Sequence, residues 1–262
     1  MTIAARAIIR RLPEIVYLDP GGLNISVGQM VLIETEHGQE IARICEPERD
    51  YPDLPNNLYK ILRPIGETDK IRLQELEEKN KKSLAIILEK IKDHELDMKL
   101  TCVQYTFDGN KIFIYYTAEN RIDFRELIKD LGHILKCRIQ MVQIGVRDET
   151  RMLGGLGLCG QIFCCHSFLK KFESVSLDLA KEQDLQLNTA KLSGPCGRLL
   201  CCLGYEAQTY QELRRQLPAI GQKVQTPAGC GIVKASNCLR QQVTVTIGEE
   251  DKTFPVSEIS IL

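Results

Sequence analysis

Six cysteines fall in two copies of one pattern. Cys159, Cys164 and Cys165 lie in GLCGQIFCC, and Cys196, Cys201 and Cys202 lie in SGPCGRLLCC. Each copy reads Cys-Gly-x-x-x-Cys-Cys, and the second follows the first by 37 residues. Thiolates are soft, strong donors suited to zinc or iron–sulfur clusters. A structural zinc site closes with four ligands, commonly from two short Cys-x-x-Cys-like pairs. Here each half supplies three thiols. One cubane cluster or one zinc would take four of the six and leave two spare. Alternatively each half holds three corners of a cluster, and a fourth ligand comes from elsewhere in the chain or from a partner. Packing alone and thiol redox chemistry without metal are the two competing readings.

Neighbouring residues of a strand point to opposite faces, so both cysteines of a pair reach one centre only where the backbone bends. Four glycines within residues 154–160, together with Gly194, Gly197 and Gly204, allow such bending. They also free backbone N–H groups to face cluster sulfides. His166, directly after Cys165, could complete a Cys3His zinc site, but Leu203 stands at its place in the second copy. Cys45, Cys102, Cys137, Cys230 and Cys238 are isolated in strand-like runs and read as buried structural cysteines.

Other chemistry is thin. The sequence has no GxxxxGK[ST] phosphate loop and no HExxH, and its GGLG is not a strand-to-helix nucleotide fingerprint. Arg147, Asp148, Glu149 and Arg151 precede the first motif and read as an internally salt-bridged loop, with anchoring of the thiol loop as the sharper reading. Arg214 and Arg215 in LRRQL read as a solvated helix face.

The surrounding elements must position these thiols. The first sixty or so residues read as β: EIVYLDP, a turn at Asp19 to Gly22, and two strands joined at EHGQ. Pro47 to Asn57 reads as a loop. A long helix is expected from about Asp69 to His94, with EEKNKK solvated. Two strands, KLTCVQYTF and KIFIYYTAE, form a hairpin around Asp108 to Asn110. Asp123 is the expected cap of a second helix, FRELIKDLGHILK, and CRIQMVQIG is the next strand. The order α-β-β-α-β predicts an antiparallel sheet with helices on one face. Periodicity breaks over VRDETRMLGGLGLCG. SLDLAKEQDLQL reads as a short helix capped by Ser176 or Asp178, and YEAQTYQELRRQLP as a helix ended by Pro218. The remaining segment reads as a compact β unit whose IGQKVQTPAGCGIV echoes VGQMVLIETEHGQEIA, either as a weak repeat or as two similar hairpins. The fold class is therefore α+β. It has a small N-terminal β module (1–64), a central α-β-β-α-β layer with cysteine-rich loops (65–205), and a helix with a C-terminal β unit (206–262).

Composition bounds the function. The chain has 262 residues and a net charge of −1. Residues 145–203 carry seven Lys/Arg against six Asp/Glu, and 204–262 carry six of each. No global positive field is present to hold nucleic acid, which argues against direct binding and leaves any RNA contact local, transient or made through a partner. No apolar run approaches the roughly 18 residues of a membrane span. The N-terminus lacks a secretory h-region, so a cytoplasmic location is expected. Eleven cysteines in a reducing compartment point away from disulfides.

GVRDETRMLGGLGLCGQIFCCHSFL together with LNTAKLSGPCGRLLCCLGYE resembles the YaaT (RicT) family, whose core is a PSP-type C-terminal domain. The motif-bearing likeness runs from about Asp69 to Tyr205, matches at all six cysteines, and is weaker elsewhere. The resemblance implies a non-enzymatic regulator that works with small helical YlbF- and YmcA-type proteins. It implies 4Fe-4S clusters in that complex, an influence on mRNA maturation by the membrane endonuclease RNase Y, and effects on sporulation, competence and biofilm formation. Carried over, Cys159, Cys164, Cys165, Cys196, Cys201 and Cys202 would be cluster ligands, some shared with partner cysteines. The rival expectation is a zinc-bound RNA- or ribosome-associated protein.

Overall fold

The computed structural model describes residues 3–10, 15–51, 58–169 and 171–262. Contacts divide the chain into two compact units, 1–155 and 156–262. The class is α+β: an N-terminal β module, helices packed on a small sheet, and a C-terminal β sheet.

The first unit begins with five strands, β1 (Ile3–Ile9), β2 (Ile15–Asp19), β3 (Met30–Thr35), β4 (Gly38–Asp50) and β5 (Leu58–Pro64). They close a barrel in the order β1-β2-β5-β3-β4, with β1 pairing β4 and β2 pairing β5 in parallel. Alternation builds the core. Ala7 and Ile9, Val16 and Leu18, Val31 and Ile33, and Ala42 and Ile44 each lie two residues apart and point inward. Strand β4 extends through Asp50, so Pro47 to Asp50, expected as loop, are strand. Tyr51 lies outside any strand, and the rest of that expected loop, from 52 to 57, lies outside the described residues.

Helix α1 (Glu67–Asp93) starts where Asp69 reaches back to the Gly66 N–H at 2.9 Å and pairs with Arg63. That pairing holds the Asp69 carboxyl at about 2. Leu76, Ile87 and Ile91 bury one stripe of α1 against β6 (Lys99–Tyr105) and β7 (Lys111–Thr117), while residues 77–82 stay largely solvated. Helix α2 (Arg125–Leu135) lies on the same face and leads into β8 (Arg138–Gln143). The antiparallel expectation is corrected here: β6 and β7 are antiparallel, but β8 pairs with β7 in parallel. A helix between two neighbouring strands carries the chain back to its starting end, which a hairpin cannot do. Asp123 is not the N-cap. Phe124 is, and Asp123 instead accepts from the Arg125 N–H at 3.2 Å and pairs with its guanidinium.

A further helix, α3 (Val146–Leu153), occupies the stretch expected to be irregular. Its Glu149 and Arg151 are buried and paired, Glu149 with Lys99 at 2.8 Å and Arg151 with Asp148 at 3.1 Å. Internal pairing is thus what these charges do, on a helix rather than a loop.

The second unit holds α4 (Leu177–Glu182), α5 (Thr189–Leu192) and α6 (Cys201–Arg214). Strands β9 (Lys223–Thr226), β10 (Gly229–Asn237), β11 (Gln242–Ile247), β12 (Glu250–Pro255) and β13 (Ser260–Ile261) follow in the sheet order β12-β11-β10-β9-β13. Val224, Val233, Val243 and Val245 form the sheet's core. The echo noted in the sequence is a shared turn. Thr35 Oγ1 donates to the Gly38 carbonyl at 2.9 Å, and Thr226 Oγ1 to the Gly229 carbonyl at 2.8 Å. The two sheets otherwise differ in strand order. Among the described residues, no helix is long and apolar enough to cross a membrane.

Candidate functional site

All six motif cysteines lie in the second unit. Each copy of the motif folds into the same knuckle. In the first, Leu156 bridges Ile162, the Gly157 N–H donates to the Gln161 carbonyl at 2.8 Å, and the Gly160 N–H donates to the Gly157 carbonyl at 2.9 Å. In the second, Ser193 bridges Leu199, the Gly194 N–H donates to the Arg198 carbonyl at 2.8 Å, and the Gly197 N–H donates to the Gly194 carbonyl at 2.9 Å. Every partner in one copy maps onto its counterpart 37 residues later. The turn is possible because Gly160 and Gly197 sit at φ +77° and +71°, where an L side chain is strained.

The knuckle aims the first thiol of each copy. A Cβ on Gly157 would lie 3.4 Å from Cys159 Sγ, and one on Gly194 would lie 3.7 Å from Cys196 Sγ. Each sulfur therefore folds back over the glycine two residues before it. The paired thiols sit on helical turns that follow. In the first copy the His166 and Ser167 N–H groups both donate to the Phe163 carbonyl, making a single turn. In the second copy Leu200 is the N-cap, and Cys201 and Cys202 are the first two residues of α6. The helix expected to start after the motif thus starts inside it. A helical start sets the side chains of Cys201 and Cys202 roughly 100° apart, rather than on the opposite faces that an extended strand would give them.

The two copies meet. Cys164 lies within electrostatic reach of both Cys201 and Cys159. Cys202 is within reach of both Cys164 and Cys201. Burial, and then these neighbouring thiols, hold Cys164 above the ordinary thiol range. Burial, then Glu206, Cys164 and Cys201, push Cys202 up to about 11. Cys165 is buried, Cys159 is exposed, and the other motif thiols are partly exposed. Beyond the thiols, the Phe168 and Tyr205 rings meet edge to face with centroids 5.0 Å apart. The sequence reading missed this pair, although its 37-residue spacing was there to be seen.

The structure therefore brings Cys159, Cys164, Cys201 and Cys202 into one neighbourhood and leaves Cys165 turned into the protein. Among the described residues, no three Cys, His, Asp or Glu side chains are already arranged to hold one metal ion. The donor set is chemically suited to a thiophilic metal, with its ligands adjacent rather than closed around a point. His166 is exposed, whereas its counterpart Leu203 packs in a small core with Ala180 and Leu192. The Gln183 side chain secures that core by donating to the Leu203 carbonyl at 2.7 Å.

Of the five cysteines outside the motifs, only Cys238 is buried; Cys45, Cys102 and Cys137 are partly exposed and Cys230 is exposed. The uniform expectation of burial is corrected for these four. Cys230 stands on β10 with its thiol donating to Gln225 Oε1 at 2.7 Å on the neighbouring strand. Alternation along a strand puts every second residue toward solvent whatever its apolarity.

A groove of about 640 Å³ opens beside Cys201, lined among others by Phe172, Val175, Leu179, Gly204 and Tyr205. Leu156, Leu158, Ile162 and Phe168 are also exposed around the first knuckle.

Residues 59–144 match the family profile described as the PSP1 C-terminal conserved region, and 174–217 match that of the third domain of PSP1-like proteins. The chain is 42% identical to the stage 0 sporulation protein YaaT of Bacillus subtilis (strain 168), over 92% of this chain and 88% of that protein. It is 23% identical to an uncharacterized protein of Schizosaccharomyces pombe, over 50% of this chain and 22% of that protein. No solved structure matches.

Proposed function

Because the chain belongs to the family of the stage 0 sporulation protein YaaT, we propose that it is a non-enzymatic regulatory adaptor whose paired knuckles hold an iron–sulfur cluster. The observation that carries this reading is the meeting of two copies of one thiol motif, with the Phe168 and Tyr205 rings in contact and Cys159, Cys201 and Cys202 within electrostatic reach of Cys164. Two thiols from each copy provide four soft donors in one neighbourhood, the number a cubane or a tetrahedral zinc requires. Cys159, Cys164, Cys201 and Cys202 are the ligands nearest one another. Cys196 and Cys165 complete the set if a partner or a second metal draws on each half separately. When bound, the cluster supplies one-electron chemistry and sensitivity to oxidants. The chain's own residues supply the bend at Gly160 and Gly197, the helical start that carries Cys201 and Cys202, and partial shielding from water.

The proposal extends to partners of the kind the family resemblance implies: small helical YlbF- and YmcA-type proteins and, through them, RNase Y and mRNA maturation in a cytoplasmic complex. Exposed Leu158, Ile162, Phe168 and Tyr205 offer such a partner apolar contact area around the thiols. The test is anaerobic purification of the full chain, alone and with those partners, followed by iron, zinc and acid-labile sulfide analysis and an absorption spectrum. Iron and sulfide in equal amounts, lost on changing Cys164 or Cys201 to serine, support the reading. Zinc without sulfide replaces the cluster with a zinc site. No metal in either preparation overturns both.

A further inference from the structure

The two motif copies share a knuckle but not a cover. In the second copy Ser193 bridges Leu199, and Leu199 and Leu200 pack on a small cluster made by Ala180 of α4, Leu192 of α5 and Leu203 of α6, all three buried. The residues 37 places earlier are Gln143, Gly155 and His166. The first copy therefore has no apolar side chain at any of the three covering positions. What would be covered has meanwhile become more apolar. Leu156 stands where the second copy has Ser193, Leu158 where it has Pro195, and Ile162 where it has Leu199. Leu156 bridges Ile162, so the two side chains are direct cross-strand neighbours. They are 67% and 56% exposed, and Leu158 is 73% exposed. Loss of the covering side chains together with gain of apolar surface marks a face that is covered from outside the chain. Charge describes the cover. Residues 156–172 contain Lys170 and Lys171 and no Asp or Glu. Helix α4, which covers the second copy, carries Asp178 and Glu182 against Lys181 and is followed directly by Asp184.

From the covered copy we infer that the exposed first knuckle is the docking surface for an acidic amphipathic helix of a partner protein, seated on Leu156, Leu158 and Ile162 in the way that the chain's own helices cover Leu199 and Leu200. Ala180 is fully buried in that cover, so the docking helix carries a small residue at the same point, which lets its backbone approach the knuckle closely. Larger apolar residues stand three or four places to either side of it, on one face. Acidic residues on its flanks answer the positive charge of the 156–172 segment. The second knuckle, already covered, is not available to such a helix. The inference rests on the adaptor part of the proposed function for the existence of a partner. It deepens that reading by placing the partner on one copy of the motif rather than on both, and it does not depend on which metal the thiols hold.

The probe is a synthetic peptide of residues 176–187, the chain's own covering helix, capped at both ends and stapled on its solvent face because so short a helix is marginal in water. The full chain is purified anaerobically and its metal content recorded. Binding of the fluorescently labelled peptide is read by anisotropy, and its place by hydrogen exchange with mass spectrometry. The expected result is saturable binding, weakened by salt, with added protection confined to 156–168. Ile162→Glu and Leu158→Glu should each weaken it at least about tenfold, since each removes an aliphatic contact and sets an acid against an acidic helix. The A180E peptide should not bind. Circular dichroism establishes that each variant is folded, and the protection map of the unsubstituted chain decides the matter if a variant is not. No saturable binding overturns the inference, as does protection centred on 192–203, which means exchange with the chain's own α4. A dimer of the full chain that Ile162→Glu dissolves, seen in sedimentation, also overturns it, because the cover is then a second copy. Absence of iron and zinc from the preparation overturns the proposed metal site instead and leaves the docking result standing.

Discussion

Replacing Gly160 or Gly197 with alanine tests the knuckles directly. Both glycines have a left-handed backbone, φ +77° and +71°, and neither has any atom within 4 Å of where a Cβ would sit. The entire cost of alanine is therefore conformational. A left-handed L residue costs about 1–2 kcal/mol. Removing glycine's freedom from the unfolded chain offsets part of this, by about 0.4–1 kcal/mol, and leaves a net loss because the native φ does not suit alanine. Gly157 and Gly194 are the matched controls. They lie outside the left-handed region, and their added Cβ would meet the cysteine sulfur at an ordinary 3.4 or 3.7 Å. G157A and G194A are expected within about 0.5 kcal/mol of the parent, as for substitutions without strain or clash. For a unit of roughly 100 residues, ~1 kcal/mol moves the midpoint by about 4–8 °C. Scanning calorimetry of the metal-free chain should show the transition of the second unit lowered by roughly that much in G160A and in G197A. The two shifts should be equal, and in the double variant they should add, since the glycines share no contact. Equal stability of G160A and G157A, or a loss in only one copy, would refute the account of the knuckle as a duplicated left-handed turn.

Four further outcomes are expected. Leu203→Ala should destabilise the second unit by about 2–5 kcal/mol, since it empties a buried leucine site, with His166→Ala near zero as its exposed counterpart; denaturant unfolding checks both. Gly231→Ala should disrupt the C-terminal sheet, because a Cβ there would fall 2.6 Å from the Thr246 carbonyl oxygen and 2.4 Å from Val245 Cγ1, and the amide exchange of β10 and β11 should accelerate. Metal-free protein should lose stability as pH rises from 9 toward 11. Cys102 and Cys202 are held at about 11 against 9.0 in the unfolded chain, so the folded form keeps protons that the unfolded form has released; melting curves across that range should show the decline, and C202S should reduce it. Removing metal from the loaded chain should lower the midpoint of the second unit selectively, and metal uptake should strengthen with rising pH because the thiols must shed protons to bind.

Much of the site was legible in the sequence because it is local. Gly-x-Cys-Gly allows a tight turn, and its recurrence marks the same turn twice. The barrel strands were legible for the same reason: inward residues two apart, such as Val31 and Ile33, mark strands wherever they occur. Contacts between distant segments were not legible. Nothing local says that Phe168 meets Tyr205, or that β8 pairs with β7 in parallel. Helix α3 was missed because its short amphipathic stretch runs straight into glycines, which dominate a windowed reading. The start of α6 was misplaced because paired cysteines suggested a bend, whereas Leu200 simply caps a helix whose first residues are those cysteines. Exposure of Cys230 escaped because residue type predicts burial less well than strand phase does.

Carrying two copies of one turn in a single polypeptide has a consequence for what can approach it. In a homodimer every substitution appears on both sides, so an incoming molecule finds two identical ways to bind. Here a change at one position leaves its counterpart untouched, and the halves have diverged: His166 faces solvent where Leu203 is packed, and the first copy's single turn answers to a 14-residue helix in the second. The thiol site therefore has a distinguishable left and right, and whatever docks on it can be accepted in one orientation and refused in the other.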